Sequence, residues 1–194
     1  MSETGTVITG DFPFSRTGVE ESVRVPADDL AVRRWYREHD RGRELTRAEL
    51  ERLAADLAAH RELWQHLVVR SVDERFYVRL HRDRFTEIWL ICWCPSQDTG
   101  FHDHDGSRGG VAVVHGAIRE TLLGARGERP EVVYVEGEAF SFGASHIHDV
   151  QYEGGDPAAS LHVYSPPLGE MGFYDVADDG TLRRRRGDHR EEFC

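Results

Sequence analysis

From about residue 72 onward the chain breaks into short runs rich in Val, Ile, Tyr, Phe and Trp, each bounded by Gly, Pro or Asp. The recurrence predicts strands near 75–82, 85–94, 100–104, 111–115, 117–123, 131–136, 138–142, 147–152, 159–165 and 172–177. The intervals carry turn chemistry, among them Arg82-Asp83-Arg84, Asp105-Gly106, Glu136-Gly137 and Gly154-Gly155-Asp156-Pro157. Many short strands at such even spacing close into a barrel or jelly roll. Ahead of them the period is helical. Pro26-Ala27-Asp28-Asp29 marks a helix start, with Leu30, Val32, Trp35 and Tyr36 on one face. Thr46 and Glu49 form a capping box before Leu50, Leu53 and Leu57, and a further helical turn carries Leu63, Trp64 and Leu67. The expectation is a loosely ordered lead-in over 1–25 and one domain over 26–194. Its parts are helices in 26–70 packed on one side, a barrel over 72–178 and a tail over 179–194.

A length of 194 residues suits one domain with a substantial core. No apolar run nears the roughly 20 residues that span a bilayer. Met1–Gly5 offers neither the basic nor the apolar part of a secretory signal, so a cytoplasmic protein without membrane attachment is expected. The net charge of −11 argues against nucleic-acid binding, which depends on neutralising phosphates. Arg183–Arg186 is a local exception, but Asp178, Asp179, Asp188, Glu191 and Glu192 flank it, which reads as a solvated stretch. Cys92, Cys94 and Cys194 are too few and too oddly placed for a disulfide framework. Cys92 and Cys94 read as core thiols, and Cys194 as an exposed thiol with no role. A monomer suits a closed domain of this size.

The histidines carry the chemistry. In His102-Asp103-His104 the first and third side chains share one face of a strand, roughly 6–7 Å apart, while Asp103 points away. A second pair, His146-Ile147-His148, lies at another strand entrance. Imidazoles converging without a carboxylate or thiolate cluster suit iron, copper, nickel or zinc better than calcium or magnesium. Strand parity places both His146 and His148 on one face and leaves the choice between them open. Ser160, His162 and Tyr164 alternate along a strand, so they project inward together as a hydroxyl–imidazole–phenol chain. His39 and His115 belong to no constellation.

These residues resemble the two cupin motifs, and residues 75–175 are similar to the thiol dioxygenases of the cysteine dioxygenase type I family. His102, His104 and Gly116 fit the first motif, but its Glu position falls on Arg108 or Gly109. The missing acid is a family trait, since thiol dioxygenases hold iron with three histidines. The second motif registers on Gly137, with Gly143 and Ser145 replacing its Pro and Gly, and its metal histidine is His148. Ser160-Leu161-His162-Val163-Tyr164-Ser165-Pro166-Pro167 resembles the family's SLHLYSPP segment, and Tyr77-Val78-Arg79 precedes a strand ending Leu90-Ile91-Cys92-Trp93, as in the family.

The resemblance implies a mainly β, cupin-type double-stranded β-helix with two or three helices packed outside. It implies an Fe(II) centre held by His102, His104 and His148, which oxidises L-cysteine with O2 to cysteine sulfinic acid. Tyr164 is then the active-site phenol, with His162 and Ser160 orienting it. Tyr77 and Arg79 are the substrate-binding pair, Arg79 as the guanidinium fork on the carboxylate, with Arg82 and Arg84 as neighbouring alternatives. Related mercaptopropionate dioxygenases carry Gln in place of that arginine, so Arg79 points to an amino-acid substrate. Animal enzymes crosslink a cysteine to the tyrosine; its position here is Gly109, as in the bacterial subgroup, and Met171 replaces another of their cysteines. A dioxygenase of 3-mercaptopropionate or homocysteine is the nearest alternative, and a non-catalytic metal-binding cupin a more distant one.

Overall fold

The computed structural model describes residues 30–124, 127–177 and 181–186. The expected lead-in over 1–25, the helix start at Pro26–Asp29 and Cys194 lie outside them.

Among the described residues two helices come first, α1 (Leu30–His39) and α2 (Arg47–Ala59), followed by 3-10 turns at Arg61–Leu63 and Gln65–Leu67. The capping box forms: Glu49 N–H donates to Thr46 Oγ1 at 3.4 Å and Thr46 N–H to Glu49 Oε2 at 2.8 Å. Leu50, Leu53, Ala54 and Leu57 fall on one face of α2 and are buried. Trp64 follows them into the core and donates its indole N–H to the Leu57 carbonyl at 3.1 Å.

Eight strands follow: β1 (Tyr77–Arg82), β2 (Glu87–Trp93), β3 (Arg108–Leu122), β4 (Glu131–Val135), β5 (Ala139–Phe142), β6 (His148–Ser165), β7 (Gly172–Val176) and β8 (Leu182–Arg186). All pairings are antiparallel. The two long strands, β3 and β6, each serve both walls of a jelly roll. One wall joins β1, β2, the second half of β6, the first half of β3, and β5. The other joins β4, the second half of β3 and the first half of β6, extended by bridges from Asp98 and His102 to β6 and from His102 to Phe173 of β7. The mainly β cupin-type architecture expected from the resemblance is the one observed.

The predicted breaks at Gly116 and Gly154-Gly155 are bends rather than ends. Gly116 has φ +68° and lies against β6, where a Cβ would stand 2.2 Å from the Gly154 carbonyl oxygen. Glycine thus lets β3 turn the corner and keep pairing with β6. The strand predicted over 100–104 reduces to the bridges of His102. Leu182–Arg186, read from sequence as part of a tail, pairs along β7.

The first wall is covered on both faces, which explains why β2 is apolar almost throughout. Ile88, Leu90, Cys92, Leu161 and Val163 face the helices and pack with Leu50, Leu57 and Trp64. Full burial of each such aliphatic side chain contributes about 1.5–3 kcal/mol. Trp89, Trp93, Val111, Phe142 and Tyr164 point the other way, into the roll.

Candidate metal centre and cavity

The backbone of His102 is paired to that of His148 in both directions, N–H to O at 2.9 and 3.2 Å. This antiparallel bridge sets the two imidazoles side by side, with ring centroids 4.7 Å apart. His104 completes the triangle at 4.8 Å from His102 and 5.0 Å from His148. One ligand atom from each of the three lies within 4.8 Å of the others, and all three residues are buried. His102 Nδ1 bonds the Gly100 carbonyl at 3.0 Å and His148 Nδ1 bonds Glu120 Oε1 at 2.6 Å, so Nε2 is the nitrogen each has left for a metal. Neither ring nitrogen of His104 has a hydrogen-bond partner. Burial of such a group without a partner costs about 1–3 kcal/mol, a penalty that coordination removes. The three residues therefore fit a divalent ion that prefers nitrogen ligands.

Burial disfavours charge on every imidazole here. It lowers the His102 pKa to about 4, helped by the nearby Arg75 cation, and depresses those of His104 and His148 well below the ordinary value. Neutral imidazole is the form that binds metal.

The structure separates His146 from His148. His146 precedes β6, stacks on Phe142 at 4.8 Å and 11°, and bonds Glu120 Oε1 at 2.8 Å instead of reaching the triangle. Glu120 was not singled out from sequence. It is 3% exposed and bridges both histidines, and with them forms a second group close enough to hold an ion. Its one legible sign is an acid that shares strand parity with the core residue Ile118. Asp103 points away from the triangle and is clamped by the β7–β8 hairpin. Arg184 Nε and the Tyr174 hydroxyl each donate to its Oδ2 at 2.7 Å. Burial would raise the Asp103 pKa, but these donors hold its carboxyl well below the usual carboxylate range.

A cavity opens in front of His102 and His148, lined also by Tyr77, Trp93, His162 and Tyr164. Along β6, Ser160, His162 and Tyr164 do form a chain: Ser160 Oγ lies 2.7 Å from His162 Nε2, and His162 Nδ1 lies 3.2 Å from the Tyr164 hydroxyl. Trp93, an indole that sequence reasoning passed over, donates to Ser160 Oγ at 2.9 Å. Burial lowers the His162 pKa to about 3 and raises that of Tyr164, so both are neutral. Met171 also lines the cavity. Gly109 is paired opposite Tyr164, and a Cβ there would stand 2.1 Å from the Phe142 ring. Phe142 thus fills the space that a side chain at 109 would need.

Arg79 lies elsewhere. It stands over Trp89 at 5.5 Å and pairs with Glu87 Oε1 at 3.4 Å, while Arg82 takes Glu87 Oε2 at 2.7 Å. Neither arginine, nor Arg84, is among the cavity's lining residues, whereas Arg75 is.

The sequence profile of the family described as Cysteine dioxygenase type I matches residues 32–177, three-quarters of the chain. The chain belongs to that family. Individual relatives are distant. Cysteine dioxygenase type 1 of Homo sapiens is 23% identical over 99 residues, covering 45% of this chain and 48% of the human one. The protein of the same description from Danio rerio is 26% identical over 100 residues, covering 45% and 49%. The chain thus spans about half the length of the relatives it matches. Among solved structures, a Klebsiella pneumoniae protein described as having a double-stranded β-helix domain aligns with a TM-score of 0.48 and 13% identity, over 62% of this chain and 94% of its own.

Proposed function

We propose that this member of the cysteine dioxygenase type I family is a non-haem iron thiol dioxygenase that converts L-cysteine and O2 to cysteine sulfinic acid. The observation that carries the reading is the buried triangle of His102, His104 and His148, with both nitrogens of His104 unpartnered, opening on a cavity that a phenol overlooks. His102, His104 and His148 would hold an Fe(II) ion, which would supply the redox chemistry for adding both atoms of O2 to the substrate sulfur.

The chain's own groups set the geometry around that centre. Trp93 can only donate, so Ser160 Oγ accepts from it and turns its own proton to His162 Nε2. His162 then carries its proton on Nδ1, and that N–H donates a hydrogen bond to the Tyr164 oxygen. The Tyr164 O–H is left to donate into the cavity, towards substrate oxygen. Its raised pKa keeps that proton in place, and the depressed pKa of His162 keeps the imidazole neutral, so the chain orients the phenol without delivering charge. Tyr77 forms part of the substrate's wall, T-shaped against Trp89 at 5.9 Å. Among the described residues no helix is long and apolar enough to cross a membrane, and Cys92 and Cys94 are free and buried. A reducing cytoplasm suits free thiols and a ferrous centre, and is the compartment proposed.

The test is anaerobic loading with Fe(II), then aerobic incubation with L-cysteine, 3-mercaptopropionate and homocysteine in parallel, with products identified by mass. Cysteine sulfinic acid as the fastest-formed product is expected. Turnover confined to another thiol would retain the chemistry and change the substrate. No product from any of them, with iron bound, would leave a metal-binding cupin without this activity.

A further inference from the structure

The second histidine pair is only half used by the triangle. His146 stands outside it, with its ring at 70° to that of His148 and the centroids 4.7 Å apart. Both rings aim a nitrogen at one oxygen: Glu120 Oε1 is 2.8 Å from His146 Nε2 and 2.6 Å from His148 Nδ1. One ligand atom from each of these three residues lies within 4.8 Å of the others. Phe142 holds the two rings from the side, stacked on His146 at 11° and set edge-on to His148 at 5.0 Å. The side chains of Glu120 and His148 are 3% and 2% exposed, whereas that of His146 is 22% exposed. The group thus has a buried floor and one side open to solvent, through which an ion can enter.

We propose that Glu120, His146 and His148 form a second metal site, for a zinc-like divalent cation, which competes with the triangle for His148. Two imidazole nitrogens and a carboxylate oxygen, with a fourth position open to water, are a donor set that suits zinc. An ion with bonds of about 2.0–2.1 Å would replace the two hydrogen bonds and spread the nitrogen–oxygen separations to roughly 3.4 Å. His146 precedes β6 and is the partly exposed member, so the movement falls on it. The competition follows from the single proton of a neutral imidazole. With that proton on Nδ1 and donated to Glu120, His148 Nε2 is bare and serves the triangle. An ion on Nδ1 sends the proton to Nε2, and the triangle loses a ligand. Outer zinc and inner iron therefore exclude each other, a switch set by metal supply. The exclusion rests on the placing of iron at the triangle; the outer site does not.

Zinc is the probe because nitrogen and oxygen sites hold it more tightly than Fe(II). Affinity is measured by competition with a chromophoric chelator, and stoichiometry by metal analysis of the dialysed protein. His104→Phe, which disables the triangle, should still bind one zinc ion per chain. Adding His146→Phe, which keeps the stack on Phe142, should weaken that binding by at least roughly 10-fold. His146→Ala takes its place if the double variant does not fold. Equal zinc affinity with and without His146 would overturn the outer site. Iron-loaded wild type given zinc should hold one ion per chain in total, and one of each together would overturn the exclusion. Failure of the iron reading looks different: wild type would retain no iron, while His104→Phe kept its His146-dependent zinc.

Discussion

Both ring nitrogens of His104 are buried without a partner, an arrangement that a chain holding no ion would have little reason to keep. Two predictions belong to single residues. His104→Phe keeps the ring volume next to Phe142, 4.5 Å away, and removes two orphaned polar atoms. The metal-free variant should therefore melt no lower than metal-free wild type, while the rise in Tm on adding Fe(II) disappears. Calorimetry in the presence and absence of a chelator checks both halves, and an unchanged metal response would remove His104 from the ligand set. Glu120→Gln addresses the carboxylate behind His148. It replaces an acceptor of two imidazole bonds with an amide, and metal affinity should fall by about 10- to 100-fold, as measured by competition with a chromophoric chelator. Much of the triangle was legible because its histidines fall in close pairs along the chain. The preference for His148 over His146 came from motif register, and the physical reason became visible only with Glu120. Glu120 comes 28 residues before His148, and no local pattern ties the two together.

At the scale of elements, local signals were read well and long-range ones were not. The capping box of α2 and the turn residues between strands act within a few residues, so the sequence displays them. Whether glycines end a strand or bend it depends on the partner strand. Gly116 and Gly154-Gly155 were read as breaks, yet they meet each other across β3 and β6 and let both strands run on. The arginine run is a sharper case. Nothing near Arg184 in sequence names its partner, because Asp103 is 81 residues away, between two of the triangle's histidines. The β7–β8 hairpin therefore clamps the loop carrying His102 and His104. Arg184→Ala should lower stability by about 1–2 kcal/mol in denaturant titration and loosen metal binding as well. A loss no larger than that of Arg183→Ala on the same strand would show that the clamp contributes nothing. The same dependence on tertiary placement governs the arginines: the Tyr-Val-Arg segment is local, but which arginine lines the cavity is decided by how the chain before β1 lies against Trp93.

For the molecule as a whole, buried neutral histidines make stability depend on pH. Unfolded histidines take up a proton below about 6.5, whereas His102 and His162 in the folded state wait until about 4 and about 3. Between those values the unfolded state binds more protons, so stability present above pH 6.5 is lost as pH falls towards 3. Each group removes up to about 1.4 kcal/mol per pH unit across its own window. Metal-free protein should show a Tm that declines steadily below pH 6.5, and a Tm flat from 6.5 to 4 would contradict the buried, neutral placement. Metal should leave over the same range, since protons and metal compete for the same nitrogens. The central claim, that this roll carries an iron centre which places both atoms of dioxygen on a thiol sulfur, is met most directly by turnover under isotopically labelled O2. Iron-loaded protein given L-cysteine and labelled dioxygen should yield cysteine sulfinic acid with both oxygens labelled, one O2 consumed per thiol. A product carrying one labelled oxygen, or disulfide with peroxide in place of sulfinic acid, would contradict the account.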